Sequence, residues 1–186
     1  MKDEQIVELY WNRSEEAIAK TKERYHGYLM KIARQILGNE EDAEECVNDT
    51  YLAAWNSMPD HRPEMLSTYL GKITRQTAID LWRKKNRQKR ASSEYALSLE
   101  ELEDVFSGGS TPEKELDAAI LTQAINRFLR TLPADARNLF LGRYYYCDPL
   151  KEVAAYCGMK EAKAKSTLFR TRKNLKRFLE KEGFTL

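Results

Sequence analysis

Apolar residues recur every three or four positions along most of the chain, and no useful length of it alternates apolar and polar residues with a period of two. The pattern therefore predicts an all-α protein. Four helices are predicted in the first half of the chain, at about 3–10, 14–37, 40–58 and 64–85. Gly38-Asn39, a pair typical of a helix C-terminus, separates the second and third helices, and the proline-containing run PDHRP at 59–63 separates the third and fourth.

In the second half, two predicted helices lead into the stretch 148–172, DPLKEVAAYCGMKEAKAKSTLFRTR. There Asp148 is a good N-cap, Pro149 is a good first helical residue, and Leu150 opens an apolar face at i, i+3, i+4 and i+7. Gly158 supplies the backbone freedom of a tight turn, and a second helix with a basic outer surface follows. This order predicts a helix-turn-helix whose second helix enters a DNA major groove. The alternative is a helical hairpin with a solvated basic face.

Composition supports a helical protein but changes the picture of its charge. The 186 residues carry a formal net charge of only +2, yet 32% of them are charged. The charges are segregated into alternating blocks, acidic at 40–49, basic at 83–90, acidic at 94–117 and basic at 160–177. Such segregation indicates several partners of different sign rather than one uniform surface.

The same composition shifts predict three segments: a helical domain at 1–90, a flexible acidic linker at 91–111, and a second helical domain at 112–186. Within the linker we expect helical structure only in part, around one weak amphipathic turn at Leu99, Leu102 and Phe106. The fold class is therefore two small all-α domains joined by a flexible acidic linker.

Candidate chemistry in the strict sense is scarce. Cys46 and Cys157 fall on apolar helical faces, which predicts buried thiols, and Cys147 stands alone. His26 and His61 lie apart from each other and from the cysteines, so we expect no metal site, no cofactor and no catalytic centre. No apolar run has the length of a signal peptide or a membrane span, which predicts a cytoplasmic protein without membrane insertion.

The order of these features resembles one family. An acidic amphipathic helix (GNEEDAEECVNDTYLAAW, 38–55) precedes a proline-rich loop and a helix with a basic end (YLGKITRQTAIDLWRK, 69–84). After the acidic linker come Leu132-Pro133, Arg143-Tyr144, Cys157-Gly158 and KSTLFRTR at 165–172. Together they resemble the extracytoplasmic-function type of bacterial RNA polymerase sigma factor, which consists of sigma domains two and four joined by a linker. The resemblance implies promoter-specific transcription initiation rather than an enzyme activity.

The resemblance implies that the outer face of the third helix docks on the clamp helices of the largest subunit of core RNA polymerase, where opposite charge would steer the encounter. A solvated helix face is the alternative. The docking candidates are Glu41, Glu44, Glu45, Asn48, Asp49 and Leu52.

Promoter DNA is the second implied partner. The loop 58–65 would form a pocket for a flipped base of the minus-ten element, and the fourth helix with the basic run 83–90 would hold phosphates. The minus-ten candidates are Asp60, His61, Arg62, Lys72, Arg75, Gln76 and Arg83. Tyr69 and Trp82 would either stack on unpaired bases or, as aromatics at helical spacing usually do, belong to the core.

The resemblance places the reading of the minus-thirty-five element on the second helix of the helix-turn-helix. The candidates are Lys163, Lys165, Ser166, Phe169, Arg170 and Lys173. Arg137 and Arg143 are expected to hold either a phosphate or a carboxylate within the domain. The unusual Lys160, Lys163 and Thr167 are where promoter preference is expected to differ from that of relatives.

Further partners follow from the resemblance alone. They are the flap of the second-largest polymerase subunit and an anti-sigma factor, whose existence the sequence leaves open. The linker would thread toward the active-centre cleft and the RNA-exit path. Three rival classes remain at this point: a helix-turn-helix repressor or activator, an RNA-binding adaptor, and a metal-dependent hydrolase that uses the acidic cluster.

Overall fold

A computed structural model describes residues 2–85, 93–103, 105–106 and 114–184, with the side chains of 114–117 excepted. Over these ranges the regular structure is entirely helical, as the apolar periodicity predicts. The chain divides into two compact units, Met1–Ala96 and Leu97–Leu186.

Unit 1 is a bundle in which three long helices pack against one another and a short one lies against them. Its elements are α1 (Asp3–Trp11), α2 (Glu16–Leu37), α3 (Glu40–Ser57), a 3₁₀ turn (Met58–Asp60) and α4 (Leu66–Lys85). Gly38 ends α2 in the left-handed conformation at φ 77°, and the Asn39 side chain caps α3 by accepting from the Asp42 amide at 2.8 Å. The sharp α2–α3 turn therefore follows directly from the Gly-Asn pair.

The core of unit 1 is apolar with a few hydroxyls at the helix interfaces. Its largest fully buried side chains are Ile6, Tyr10, Leu29, Met30, Ile36, Met58, Leu66 and Leu70. Between α3 and α4, the Thr50 hydroxyl lies 2.9 Å from the Cys46 carbonyl and 3.1 Å from the Thr74 hydroxyl. Burial raises the pKa of the Cys46 thiol to about 12, so Cys46 is a neutral packing residue, as its place on an apolar face predicts.

Unit 2 contains most of α5 (Glu94–Glu103) and all of α6 (Lys114–Thr131), α7 (Ala134–Phe140), α8 (Leu150–Tyr156) and α9 (Glu161–Lys181). A π-helical turn, Leu141–Tyr145, extends α7. The core lies between these helices, and Leu139, Leu168, Leu175 and Leu179 are completely or almost completely buried in it.

The start of α8 differs from the prediction. Pro149 is the N-cap and α8 begins at Leu150, one residue later than predicted. The Asp148 carboxylate instead accepts a hydrogen bond at 3.0 Å from the Tyr156 hydroxyl, at the other end of α8. The predicted N-cap is therefore displaced by one residue, and the Asp148 carboxylate bonds a residue eight positions along the chain.

The acidic segment between the domains is more ordered than a weak amphipathic turn. The ten residues of α5 are helical, and Leu102, Val105 and Phe106 pack into the core of unit 2. At its other end, Tyr95 is buried and meets the Trp82 ring edge-on at 5.1 Å. Packing of Tyr95, Leu102, Val105 and Phe106 therefore orders this segment, while Leu97 and Leu99 stay exposed.

Candidate functional site

The six predicted docking residues form one continuous exposed stripe on α3. They are Glu41, Glu44, Glu45, Asn48, Asp49 and Leu52, all exposed, at a spacing that keeps them on one face. Leu52 is 59% exposed, which gives the acidic stripe an apolar end. Within the described ranges no group of His, Cys, Asp and Glu side chains could hold a metal ion.

Asp42 lies beside this stripe but is already engaged. Its carboxylate forms an ion pair with Lys85 at the end of α4 and accepts from the Asn39 side chain at 2.7 Å. The hydrogen bond from Lys85, and then the one from Asn39, lower the pKa of Asp42. The acidic face is thus divided into a paired carboxylate at its edge and exposed carboxylates along its centre.

The predicted minus-ten residues of α4 also share a face. Lys72, Gln76 and Arg83 are exposed and Arg75 is half-buried, at i, i+4, i+11 and i+3. The exposed Lys84 and the paired Lys85 continue the positive charge to the end of α4. The rest of the predicted basic run, 86–90, lies outside the described residues.

The loop residues Asp60, His61 and Arg62 are all exposed, but two of them already have protein partners. The His61 Nδ1 lies 3.0 Å from the Ser57 carbonyl oxygen. Arg62 forms an ion pair with Glu8 of α1, and its guanidinium lies 5.0 Å from the centre of the Trp11 ring.

A cavity of about 260 Å³ adjoins this loop, and its wall is formed jointly by the loop and α1. The lining residues are Asp3, Glu4, Val7, Arg62, Pro63 and Glu64. The contribution of α1 was not predicted from the sequence, where its signal is Trp11, a large aromatic residue at the end of an acidic helix that the structure leaves exposed.

The two aromatic residues considered for base stacking have intramolecular contacts. The Tyr69 hydroxyl lies 2.7 Å from the Ser57 hydroxyl, and Trp82 packs edge-on against Tyr95. These contacts favour the structural alternative for both residues.

The helix-turn-helix is formed by α8 and α9, with Gly158 between them at φ 65°. All six predicted minus-thirty-five residues are exposed on α9: Lys163, Lys165, Ser166, Phe169, Arg170 and Lys173. Phe169 is 55% exposed, a large apolar ring within a cationic surface. The Arg170 Nε donates to the Ser166 carbonyl at 3.3 Å, which holds the start of its side chain along α9.

A buried charge cluster joins α5, the π-helical turn and α9. Arg143 is only 3% exposed, and its Nη2 and Nε donate to the Glu101 carboxylate at 2.8 and 3.2 Å. The Tyr144 hydroxyl donates to Glu101 at 2.8 Å, and Arg172 Nη1 lies 2.6 Å from that hydroxyl and 3.4 Å from Glu101. Burial, and then the hydrogen bond to Glu101, raise the pKa of Tyr144.

This cluster decides between the two ligands expected for Arg143: it holds a carboxylate, that of Glu101. Glu101 itself was not predicted as a site residue, since it belongs to the segment expected to be a flexible linker. Arg137 is half-buried on α7.

Two family models match the chain. The model of sigma-70 region 2 matches residues 22–88, and the model of sigma-70 region 4 matches residues 122–175. The chain belongs to the sigma-70 family. Region 2 therefore contains the α3 stripe and the α4 face of this sigma factor, and region 4 contains its helix-turn-helix.

Among similar proteins is the extracytoplasmic-function RNA polymerase sigma factor SigE of Mycolicibacterium smegmatis, 23% identical over 159 residues. That match covers 83% of this chain, and the chain spans 58% of the length of SigE. The resemblance to extracytoplasmic-function sigma factors is thereby confirmed.

Two solved structures are similar to this sigma factor. One is CnrH in complex with the cytosolic domain of CnrY, at 19% identity and a TM-score of 0.44, covering 96% of this chain and 97% of CnrH. The other is the sigma factor RpoE in complex with the anti-sigma factor NepR from Bartonella quintana, at 22% identity and a TM-score of 0.36. It covers 87% of this chain and 96% of that one.

Within the described ranges no helix is both long and apolar enough to cross a membrane.

Proposed function

We propose that this protein binds core RNA polymerase and directs it to promoters, reading the minus-ten and minus-thirty-five elements with separate helical domains. The observation that carries the proposal is the separation of charge within one chain. An exposed acidic stripe lies on α3, and exposed basic faces lie on α4 and α9. A protein that only bound DNA would gain nothing from a row of carboxylates, because they repel phosphates.

The α3 stripe is the proposed docking surface for the clamp helices of the largest polymerase subunit. Its exposed carboxylates would steer association with a basic partner and fix its register, and the exposed Leu52 would add apolar contact. The flap of the second-largest subunit is the proposed contact of the second domain, and an anti-sigma factor is a further proposed partner. Because both proposed partners, core polymerase and promoter DNA, are cytoplasmic in bacteria, the proposed location of the protein is the cytoplasm.

The proposed DNA-reading residues fall into two groups. On α9, Lys165, Ser166, Phe169 and Arg170 would meet base edges and methyl groups of the minus-thirty-five element, flanked by Lys163 and Lys173. On unit 1, the α4 face and the 60–62 loop would hold the minus-ten element. Since Arg62 is paired with Glu8, its use on DNA requires that this exposed ion pair open, which costs little because exposed pairs contribute at most about 1 kcal/mol.

Charge reversal tests the docking surface. A triple variant, Glu44→Lys, Glu45→Lys and Asp49→Lys, should abolish co-purification with core polymerase while the far-ultraviolet circular dichroism stays helical. The reason is that all three side chains are exposed, so the fold does not depend on them.

The matched control reverses three exposed glutamates elsewhere in unit 1, Glu15→Lys, Glu16→Lys and Glu64→Lys, with the same change in net charge. This control should retain core binding. Normal core binding by the α3 variant, or equal loss in both variants, would overturn the docking assignment.

A further inference from the structure

The end of α5 is docked on the proposed DNA-reading unit. Val105, immediately after the helix, is 1% exposed, and Leu102 and Phe106 pack on the same core. Glu101 adds polar attachment, because its carboxylate holds both Arg143 and Arg172. Apolar burial and a partly buried ion pair therefore fix this segment directly against α9.

The docking place adjoins the residues proposed to read DNA. A groove of about 220 Å³ lies between the residue that follows α5 and the exposed side of α9, and it is lined by Val105, Phe169, Arg172, Lys173 and Lys176. Phe169 and Lys173 belong to the proposed minus-thirty-five set. The end of the acidic segment thus borders one flank of the reading face.

The charge of α5 opposes DNA at that flank. Its sequence EYALSLEELE contains four glutamates and no basic residue. Glu101 is paired, but Glu100 and Glu103 are exposed. A duplex seated on α9 would bring phosphates toward the end of this acidic helix. Arg172, which would otherwise add positive charge at this flank, is bound by Glu101 and the Tyr144 hydroxyl.

We propose that α5 is an autoinhibitory element: while it is docked on unit 2 it weakens the binding of duplex DNA by α9, and its release restores that binding. The inference rests on the proposed DNA-reading role of α9. In the free protein the acidic segment would then lower the affinity of unit 2 for duplex DNA until the segment is released from it.

Two variants of the full chain test the inference by anisotropy with a short fluorescein-labelled duplex of mixed sequence. Val105→Asp places a charge in the buried docking contact and should release the segment. Its matched control is Leu97→Asp on the exposed side of α5, which adds the same charge without touching the contact. We expect Val105→Asp to bind duplex about three- to tenfold more tightly than the parent chain at low salt, and Leu97→Asp not to do so.

The second variant keeps α5 docked and removes its repulsion. Glu100→Gln with Glu103→Gln should also tighten binding, by about threefold, and the gain should shrink as salt approaches about 0.15 M because screening then acts within about 8 Å. The control is Glu15→Gln with Glu16→Gln, two exposed glutamates of unit 1 with the same change in net charge. This pair remains decisive if Val105→Asp does not fold.

Equal affinity of the parent chain and both α5 variants would overturn the inference, and so would weaker binding by a folded Val105→Asp variant. Run-off transcription with core polymerase separates this failure from that of the proposed function. If the parent chain supports initiation but the α5 variants bind duplex no better, only the autoinhibition is wrong. If no variant binds duplex and none supports initiation, both proposals fail.

Discussion

Glu101→Ala is the substitution whose effect on stability follows most directly from the contacts seen here. It removes the carboxylate that holds Arg143, a guanidinium whose side chain is 4% exposed. Breaking a buried ion pair by removing one partner costs about 3–5 kcal/mol, because the remaining charge stays buried. Glu101 is itself 32% exposed, so water can replace part of what is lost, and we expect a cost of about 2–3 kcal/mol in the stability of unit 2.

Urea unfolding measures this cost. With a denaturant dependence of about 1–2 kcal/mol/M for a unit of this size, the midpoint for unit 2 should fall by about 1–3 M. Three tryptophans occur in the chain, Trp11, Trp55 and Trp82, and all lie in unit 1. Tryptophan fluorescence therefore follows unit 1 alone and should show an unchanged midpoint, while circular dichroism follows both units.

The neighbouring Glu100→Ala is the matched control, since Glu100 is exposed on the same helix. It should change the free energy of unfolding of unit 2 by less than about 0.5 kcal/mol. A double variant, Glu101→Leu with Arg143→Met, should recover much of the loss by replacing the charged pair with apolar groups. If Glu101→Ala behaves like Glu100→Ala, the buried cluster does not stabilise unit 2 and the reasoning is refuted.

Two other substitutions give sharp expectations. Gly142→Ala would push a methyl group into the Tyr156 hydroxyl and to 2.9 Å from a Val153 methyl, so it should destabilise the protein by about 1–3 kcal/mol in thermal unfolding. The control Gly27→Ala should not destabilise it, because a methyl group there meets nothing within 4 Å. Equal melting temperatures of the two variants would contradict the packing around Gly142. Arg170→Ala should weaken promoter binding by about 1–3 kcal/mol in a gel-shift assay with polymerase holoenzyme if its guanidinium contacts a base. Unchanged promoter choice would remove Arg170 from the reading set.

The helical fold and the exposed faces could be predicted because both depend on local periodicity. A stripe such as that from Glu41 to Leu52 is visible in the sequence, since residues three and four apart share a helix face. The same reasoning places Lys165 and Arg170 opposite the apolar side of α9. Periodicity indicates which side of a helix is apolar. That side is buried when the helices of a unit pack together, so the opposite side stays exposed.

The contacts that could not be predicted join residues far apart in sequence. Glu101 and Arg143 are separated by 42 positions, and nothing in either local pattern selects the other as partner. The pairing of Arg62 with Glu8 across the fold is of the same kind. The docking of α5 likewise depends on contacts between residues far apart in sequence. Its apolar residues are too few to predict burial without knowing the surface of unit 2 on which they pack.

Run-off transcription tests the central claim most directly. Core RNA polymerase would be supplied with genomic fragments from the source organism, with and without this protein, and the transcripts mapped. The account predicts initiation at discrete sites only when both core and this protein are present, and its loss with the Glu44, Glu45 and Asp49 charge reversals. Tight duplex binding without core, together with transcripts that do not depend on this protein, would contradict the account and favour a helix-turn-helix repressor.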